Sequence, residues 1–442
     1  MKALRVPSFL GRDTIILFAI SFIINLGFSF TTPIFPFYIL ALKGVIQEIP
    51  ELEVYVRAEA AAIEFGVLMA SFMLTRAVMA AFSGYLSDIL GRRKMILLGS
   101  LIYFLTAIAY IFCPNITFLI LIRASQGVAS AMVWPVAEAM LSDLVKRVER
   151  GRTMSIYVSL MNFANIFGPY LGVAAYKAYI ASTSTPDLFT ALRIPFILLV
   201  AASFSSLIAS FCLHDVREAY GSRVRGSWSR VREAISELSG KVRRSLNTIY
   251  VNGVVNGFGM GIVETAFVIF VINEVSKDPS TLGLLYSVGG IVSILSSIFA
   301  GHLSDKIRER KKSIFLSYLI SRPLLFLTPF VKDVASLIIL FSLFNLAFGV
   351  SMPLMRALQA DLVPSKIRGT IFGLQQTFFN SGVVAGALTG GYLCEALATK
   401  SISIFGFVIK GIAAPFLITA ALGVFTTILF ALFVSETKWK TH

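Results

Sequence analysis

A few polar and charged side chains interrupt long apolar runs, and these are the residues best suited to chemistry. Glu264 lies within GMGIVETAFVIF, and Arg123 and Gln126 lie within LIRASQG. An apolar medium favours the neutral form of a carboxylate, so Glu264 is a candidate to bind and release a proton in each cycle. The alternative is a neutral or ion-paired structural residue. A guanidinium in hydrocarbon needs a partner or water, so Arg123 marks a functional site or a structural hydrogen-bonding centre.

Further amides and one arginine lie on apolar segments of the same kind and could line a polar pocket for a small organic solute. The sequence identifies no partner for Arg76, and packing between helices is its alternative role. We assign proton or substrate roles to one set of residues. They are Glu264, Arg123, Gln126, Asn25, Asn256, Asn380 and Arg76.

The segments that carry these residues are long enough to cross a membrane. The chain has 442 residues, of which 56% are hydrophobic and 14% charged, with a mean hydropathy of +0.80. About 20 apolar residues span a bilayer as a helix, so the pattern predicts twelve transmembrane helices and an all-α membrane protein. The predicted spans run over 14–42, 59–87, 95–113, 116–144, 153–180, 190–213, 247–273, 281–303, 313–331, 334–362, 370–398 and 408–434.

Basic residues concentrate in alternate segments between the spans. Lys and Arg total 39 against 24 Asp and Glu, a formal net charge of +15. Such a balance is typical of nucleic-acid binding, but basic loops that alternate with loops poor in Lys and Arg follow the positive-inside rule. We therefore exclude nucleic acid as a partner. We predict a multi-pass protein of the cell (plasma) membrane with both termini in the cytoplasm.

The two halves of the chain resemble each other. At an offset of 217, Gly84, Asp88 and Arg93 align with Gly301, Asp305 and Arg310. At 218 the aligned pairs are Pro135 with Pro353, Asp143 with Asp361, Asn162 with Asn380, Gly168 with Gly386, and Gly172 with Gly390. Tandem six-helix halves place a pseudo-two-fold axis along the membrane normal. We predict a first half at 1–213, a cytoplasmic linker at 214–246 and a second half at 247–442.

Several motifs resemble those of the major facilitator superfamily of secondary transporters. GYLSDILGRRK, residues 84–94, is similar to the signature loop between its spans 2 and 3, and GHLSDKIRERKK is a degraded second copy. RASQG resembles a motif associated with proton coupling in the superfamily's antiporters. NIFGPYLG resembles the span 5 motif of drug and proton antiporters, although Ala164 and Ser155 replace two of its glycines. The resemblance covers the whole chain and implies transport by alternating access.

Charged loop residues are predicted to form a conformational gate. The resemblance implies that Asp88 and Arg93 stabilise the outward-open state by linking the halves, through Asp143 or the start of span 11. The alternative is that they cap helices and set topology. Glu138 and Arg356 occupy equivalent positions and could form a gate pair. The predicted gate comprises Gly84, Asp88, Gly91, Arg92, Arg93, Glu138, Asp143, Asp305, Arg310 and Arg356, and the predicted helix-packing residues are Gly168, Pro169 and Gly172.

The first span contains a predicted interruption. In FSFTTPIFPFY, Pro33 and Pro36 break the ladder of helical hydrogen bonds because proline has no backbone N–H to donate. We predict that the freed carbonyls face a cavity. The span carries no embedded acid, so it offers no proton site.

Other classes of function lack the residues they need. Cys113, Cys212 and Cys394 have no metal-ligand spacing, and the three histidines have no nucleophile and base beside them. We predict no enzyme, cofactor or metal, and a monomer whose partners are a small-molecule substrate, a proton or other ion gradient and the lipid bilayer. The predicted function is proton-coupled efflux of drug-like compounds by a secondary active transporter. The alternatives are proton-coupled uptake of a nutrient or organic anion and, from another class, a membrane receptor or channel.

Overall fold

The computed structural model describes residues 11–50, 57–146, 149–214, 238–307, 310–363, 368–404 and 407–435. Helices dominate these residues, and one short hairpin lies near the end of the chain. The helices are α1 (Arg12–Thr31), α2 (Phe35–Leu42), α3 (Ala62–Leu90), α4 (Arg92–Ile111), α5 (Ile116–Leu144), α6 (Arg150–Ser182), α7 (Leu188–Phe211), α8 (Gly240–Phe270), α9 (Pro279–Ile307), α10 (Arg310–Leu327), α11 (Val334–Leu362), α12 (Arg368–Leu397) and α13 (Ala414–Phe433), and the hairpin is β1 (Ser401–Ile404) and β2 (Phe407–Lys410).

Among the described residues, eleven helices are long and apolar enough to cross a membrane. The remaining predicted span, the eleventh, corresponds to α12, which has 30 residues. This helix packs along α8 over most of its length. Large apolar side chains such as Phe299, Tyr170 and Leu432 are exposed on the helix surfaces, as lipid-facing positions require because hydrocarbon replaces water there.

The first span is interrupted where its prolines predict a break. Helix α1 ends at Thr31 and α2 begins at Phe35, with Pro33 in the turn between them and Pro36 in the first turn of α2. The hydroxyl of Thr31 donates to the carbonyl of Phe28 at 2.9 Å, and that of Ser29 to the carbonyl of Asn25 at 2.8 Å. The end of α1 at Thr31 and the start of α2 at Phe35 confirm the predicted interruption.

The described residues form two compact units. The first unit holds 11–50, 71–146, 149–214 and 282–287, and the second holds 57–70, 238–281, 288–307, 310–363, 368–404 and 407–435. Each unit therefore contains one short segment from the other half of the sequence. In the first unit the hydroxyl of Ser287 donates to the carbonyl of Ile166 at 2.6 Å. In the second unit a Cβ placed at Gly391 would lie 2.5 Å from the carbonyl oxygen of Ala62.

Small residues bring corresponding helices together in both units. A Cβ at Gly172 would collide with the backbone of Phe30 on α1, and a Cβ at Gly168 would collide with Ser29. Gly386 and Gly390 hold α12 against the backbone of α8 in the same way. Close backbone approach through small residues is a common basis of helix association in membranes. Gly168 and Gly172 are two of the predicted helix-packing residues, and that role stays a prediction.

The far end of α8 is tied to its neighbours by polar contacts in the second unit. A π-helical turn, Val271–Val275, follows α8 directly. The side-chain oxygen of Asn273 accepts from the backbone N–H of Ala58 at 2.9 Å. Lys410, at the end of β2, lies 2.9 Å from the carboxylate of Glu274. These contacts hold the end of the helix that carries Glu264.

Candidate functional site

Helix α5 places Arg123 and Gln126 one turn apart, so their side chains meet. The guanidinium of Arg123 donates to Oε1 of Gln126 at 3.0 Å, and the hydroxyl of Tyr110 on α4 donates to the same oxygen at 2.7 Å. Gln126 is buried, and both its donors come from within the first unit. The structure therefore brings together the two residues that the RASQG motif predicted, and adds Tyr110, for which the sequence offered no signal.

Three aromatic rings surround the guanidinium of Arg123. Its central carbon lies 4.6 Å from the ring centroid of Phe72, 5.1 Å from that of Phe35 and 5.7 Å from that of Phe28. Aromatic faces attract a cation by their quadrupole, more strongly where water is excluded. Gly127 permits this arrangement, because a Cβ there would collide with the backbone of Phe72. We call Arg123, Gln126, Tyr110 and the three rings the Arg123 cluster.

The Arg123 cluster leaves part of the guanidinium available. Among the described residues, no carboxylate pairs with Arg123, and its buried Nε has no hydrogen-bond partner. A buried N–H without a partner costs free energy that a ligand atom or water can recover. The aromatic rings therefore hold the guanidinium of Arg123 in place, while its Nε–H can donate a hydrogen bond to a bound molecule.

Glu264 is the embedded carboxylate of the second unit. It lies eleven residues before Val275, where the helix ends, which corresponds to roughly 16 Å at 1.5 Å per residue. Half the thickness of a hydrocarbon core is about 15 Å, so the residue stands near the middle of the membrane. Its side chain is half-buried, and no described residue donates a hydrogen bond to it or forms an ion pair with it. Phe267, one turn further on, stacks on Phe341 at 4.8 Å between centroids.

Arg322 on α10 has partners that the sequence did not reveal. It donates to the side-chain oxygen of Asn256 at 2.8 Å and lies 4.8 Å from the ring centroid of Tyr318. The hydroxyl of Thr426 reaches the same oxygen of Asn256 at 3.3 Å. A Cβ at Gly423 would collide with the Arg322 side chain, so glycine on α13 makes room for it. This contact joins three helices of the second unit.

The remaining predicted proton or substrate residues have local partners or none. The amide of Asn25 donates to the carbonyl of Met161 at 2.8 Å, which ties α1 to α6. Asn380 accepts from Gln376, one turn earlier on the same helix, at 2.9 Å. Arg76 is half-buried in α3. Asn25 and Arg76 belong to the first unit, whereas Asn380 belongs to the second unit with Glu264.

We use the term basic ends for the helix termini that adjoin the basic loops, namely the starts of α4, α6, α8, α10 and α12 and the ends of α3, α5, α7, α9, α11 and α13. Arg92 at the start of α4 pairs with Asp143 near the end of α5. Arg310 at the start of α10 pairs with Asp361 near the end of α11 in the same way. These residues correspond at an offset of 218. The expected counterpart of Arg310 at an offset of 217 was Arg93, so the contacts correct that alignment by one residue.

The second basic residue of each pair contacts another helix. Arg93 donates to the carbonyl of Phe211 at the end of α7 at 2.9 Å. Lys311, its counterpart, donates to the carbonyl of Ala431 near the end of α13 at 2.8 Å. Basic side chains at helix carboxyl ends satisfy carbonyls that have no helical partner. The expected contact of Arg93 with Asp143 is thus made by Arg92 instead.

The other predicted gate residues are distributed over both units. Gly91 has a φ of 96° between α3 and α4, a conformation that favours glycine. A Cβ at Gly84 would meet no described atom within 4 Å. Glu138 and Arg356 are both exposed on their own helices, one in each unit. The side chains of Asp88 and Asp305 lie outside the part of the chain that the structure describes.

These features define a membrane transporter with two repeated helical halves. A family model described as Major Facilitator Superfamily matches residues 17–251 and again 249–441. The chain belongs to this superfamily, which implies a small-molecule substrate and a multi-pass membrane protein. The resemblance to its drug and proton antiporter-like members is confirmed by the relatives.

The curated relatives include two proteins named for drug resistance. The Quinolone resistance protein NorA of Staphylococcus aureus (strain COL) is 22% identical over 389 residues, which is 87% of this chain and 91% of that protein. The Multidrug resistance protein 2 of Bacillus subtilis (strain 168) is 23% identical over 336 residues, 75% of this chain and 80% of the relative.

Solved structures share the fold at lower identity. The nucleoside transporter NupG aligns with a TM-score of 0.72 at 15% identity, covering 96% of this chain and 100% of that one. A bacterial homolog of the human lysosomal transporter Spinster aligns with a TM-score of 0.73 at 12% identity, covering 97% and 99%. The human organic anion transporter MFSD10 aligns with a TM-score of 0.63 at 16% identity, covering 96% and 100%. These likenesses confirm the predicted fold of twelve membrane helices in two halves.

Proposed function

We propose that the protein exports drug-like organic compounds in exchange for protons. The observation that carries the proposal is Glu264, a carboxylate near the middle of the membrane to which no described residue donates a hydrogen bond. The names of the curated relatives, a quinolone resistance protein and a multidrug resistance protein, support the choice of substrate class. We further propose the plasma membrane as the location, a monomer, and both termini and the basic ends in the cytoplasm.

Glu264 would carry the proton in this cycle. A carboxylate in hydrocarbon is costly while it is charged and has no partner. Either a proton or a cationic group of the substrate neutralises it, and the two compete for the same oxygen atoms. Release of one on binding of the other gives exchange, provided that the site opens to one side at a time.

The Arg123 cluster would contribute to substrate binding from the first half. Its rings provide flat apolar surfaces, and the Nε of Arg123 provides a donor that has no partner among the described residues. Ligand sites commonly combine an apolar and aromatic lining with a small number of polar groups that fix orientation. Such a lining suits aromatic compounds of varied shape.

Uptake of an organic anion is the second candidate function. It is favoured by Arg123 and Arg322, neither of which has a carboxylate partner among the described residues. In that case an anionic substrate would supply the missing negative charge, and accumulation would run in the direction of proton entry.

The proposal is tested in proteoliposomes with an imposed pH gradient, using ethidium as a cationic aromatic probe and benzoate as an anionic one. For an exporter we expect gradient-driven exchange of ethidium in wild type and in Glu395→Gln, an exposed glutamate at the end of α12. Glu264→Gln should lose the dependence on the gradient, because an amide takes up no proton. Gradient-driven benzoate uptake without ethidium exchange would favour the second function. Ethidium exchange by Glu264→Gln that still follows the gradient would contradict the proposed role of Glu264.

A further inference from the structure

A cavity of about 480 Å³ opens between the start of α8 and the end of α13, within the second unit. Arg243, Arg244 and Asn247 line its polar part, and Val251, Leu429 and Phe433 line its apolar part. The lining residues of α8 recur on one side of the helix at spacings of four. The cavity lies on the outer side of the helix pair, since Val251 is 49% exposed and its neighbours Ile428 and Leu432 on α13 are exposed as well.

Polarity changes along the depth of this cavity. Arg243 and Val251 are eight residues apart on α8, which is about 12 Å along the axis. The arginines stand at the basic end, and Val251 stands deeper along the span. On α13 the order is reversed along the chain, because Phe433 ends the helix and Leu429 precedes it by one turn. The cavity is therefore cationic at the membrane surface and apolar toward the membrane interior.

The two arginines carry positive charge that the described protein does not neutralise. The first turn of α8 contains no acidic residue, although the amino end of a helix carries a partial positive charge and favours acids. No described residue forms an ion pair with Arg243 or Arg244. Arg244 stacks on Phe433 with 4.3 Å between its guanidinium carbon and the ring centroid. This contact orders the side chain and leaves its N–H groups free for an anion.

The corresponding position in the first unit does contain an acidic residue. This position is formed by the start of α1 and the residues that follow α7. There, Asp13 in the first turn of α1 accepts from the backbone N–H of His214 at 3.3 Å and lies 3.1 Å from its imidazole. The first half thus has an acidic residue, Asp13, at this position. The charged residues described at the corresponding position of the second half are all basic.

We propose that this cavity binds one anionic phospholipid, with its phosphate on Arg243 and Arg244 and an acyl chain along Val251 and Leu429. Arginine binds phosphate through paired N–H groups, and basic pockets between membrane helices are suited to acidic lipid headgroups. A lipid fits better than a soluble phosphate compound, because only a lipid has an acyl chain that can contact the apolar part of the cavity, which faces the membrane interior. This site is independent of the proposed transport function.

The test uses the full-length protein, purified in detergent and incubated with dioleoyl phosphatidylglycerol or dioleoyl phosphatidylcholine, with bound lipid counted by native mass spectrometry. Wild type should retain one phosphatidylglycerol. Arg244→Gln and Arg243→Gln should retain it roughly tenfold less, as the loss of one charge-assisted hydrogen bond predicts. Lys241→Gln is the matched control, because it removes the same charge from the same turn without altering the cavity lining.

A second variant separates a built site from general attraction of anions. Leu429→Trp keeps both arginines but fills the apolar part of the cavity. This variant should retain less phosphatidylglycerol, and the lipid should no longer raise its melting temperature. Equal retention by wild type and all variants, or equal retention of phosphatidylcholine, would overturn the proposal. Glycerol 3-phosphate that stabilises the protein as well as phosphatidylglycerol at the same concentration would overturn the assignment to a lipid. Gel filtration identifies any variant that does not fold, and the remaining variants then decide.

Discussion

Asp143 receives Arg92 at the basic end of the first half, and Asp361 receives Arg310 at the basic end of the second. Arg93 and Lys311 likewise reach the last carbonyls of α7 and α13. The membrane-embedded centres show no such correspondence. The first unit has the Arg123 cluster, and the second has a carboxylate without a described donor together with an arginine on Asn256. The repeat has thus been kept where helices are joined and has diverged where a substrate and a proton would bind.

The two membrane-embedded arginines illustrate the divergence. Arg123 contacts three aromatic faces and one amide oxygen. Arg123 and Arg322 each have a buried Nε without a hydrogen-bond partner among the described residues. Arg322 is inserted among three helices, against Asn256, Tyr318 and Gly423. We therefore expect Arg123, which is surrounded by rings, to act in substrate binding, and Arg322, which joins three helices, to act in stability. The comparison predicts different consequences when each charge is removed.

Substitution of the two arginines should give the largest difference. Arg123→Gln and Arg123→Lys should each lower transport of an aromatic substrate by about tenfold or more, which corresponds to about 1.4 kcal/mol. Lysine fails because its ammonium cannot stack as a plane on several rings. Arg322→Gln should change transport by less than about threefold, since an amide can still donate to Asn256, but should lower the melting temperature. The measurements are initial rates in proteoliposomes and thermal unfolding of the purified variants.

The opposite pattern would reverse this assignment of roles. If Arg322→Gln abolished transport at unchanged stability while Arg123→Gln transported normally, the second half would contain the binding arginine. Arg193→Gln, which changes an arginine near the start of α7, serves as a comparison for the loss of one positive charge from the first unit.

The acidic residues at the basic ends should behave alike in the two halves. Asp143→Asn and Asp361→Asn each remove one described ion pair of a partly buried arginine, so we expect each to cost about 1 to 2 kcal/mol of stability after allowance for solvent screening. Exchanging the charges, as Arg92→Asp with Asp143→Arg, should restore part of the loss, and the second-half double variant should do the same. Thermal unfolding of single and double variants measures this. A large effect in one half only would show that the repeated contacts do not have equal roles.

Much of the fold was accessible from the sequence because hydropathy and internal repetition are one-dimensional signals. The Arg123 and Gln126 contact was accessible for the same reason, since a spacing of three places both on one face of a helix. The contact of Arg322 with Asn256 was not, because it depends on where glycine at 423 lets one helix approach another. Arg92 and Arg93 show a subtler limit. Because the two arginines are adjacent, either one could be aligned with Arg310. Only the contact of Arg92 with Asp143 shows that the offset is 218.

The smallest expected effects come from two helix caps outside the membrane. Asp187 is the N-cap of α7 and Asp333 is the N-cap of α11. Each side chain accepts a hydrogen bond from the backbone N–H three residues later at 2.8 Å. Hydrogen bonds from Thr190 hold the pKa of Asp187 below its usual value, and those from Ser336 do the same for the pKa of Asp333. Asp187→Ala should lower the free energy of unfolding by about 0.5 kcal/mol, the low end for such caps because the site is exposed. Asp333→Ala should lower the melting temperature only slightly.

The pH dependence of these caps has a defined sign. A carboxylate whose pKa is lowered by folding contributes its full stability above its unfolded pKa of about 3.9, and loses it as pH falls through the lower folded value. The difference in melting temperature between wild type and Asp187→Ala should therefore be constant near neutral pH and shrink below about pH 4. Asp187→Asn can keep the cap without the charge, so its difference from wild type isolates the charged form. A difference that grew on acidification would mean that the protonated acid is the better cap, which the two acceptor contacts with Thr190 argue against.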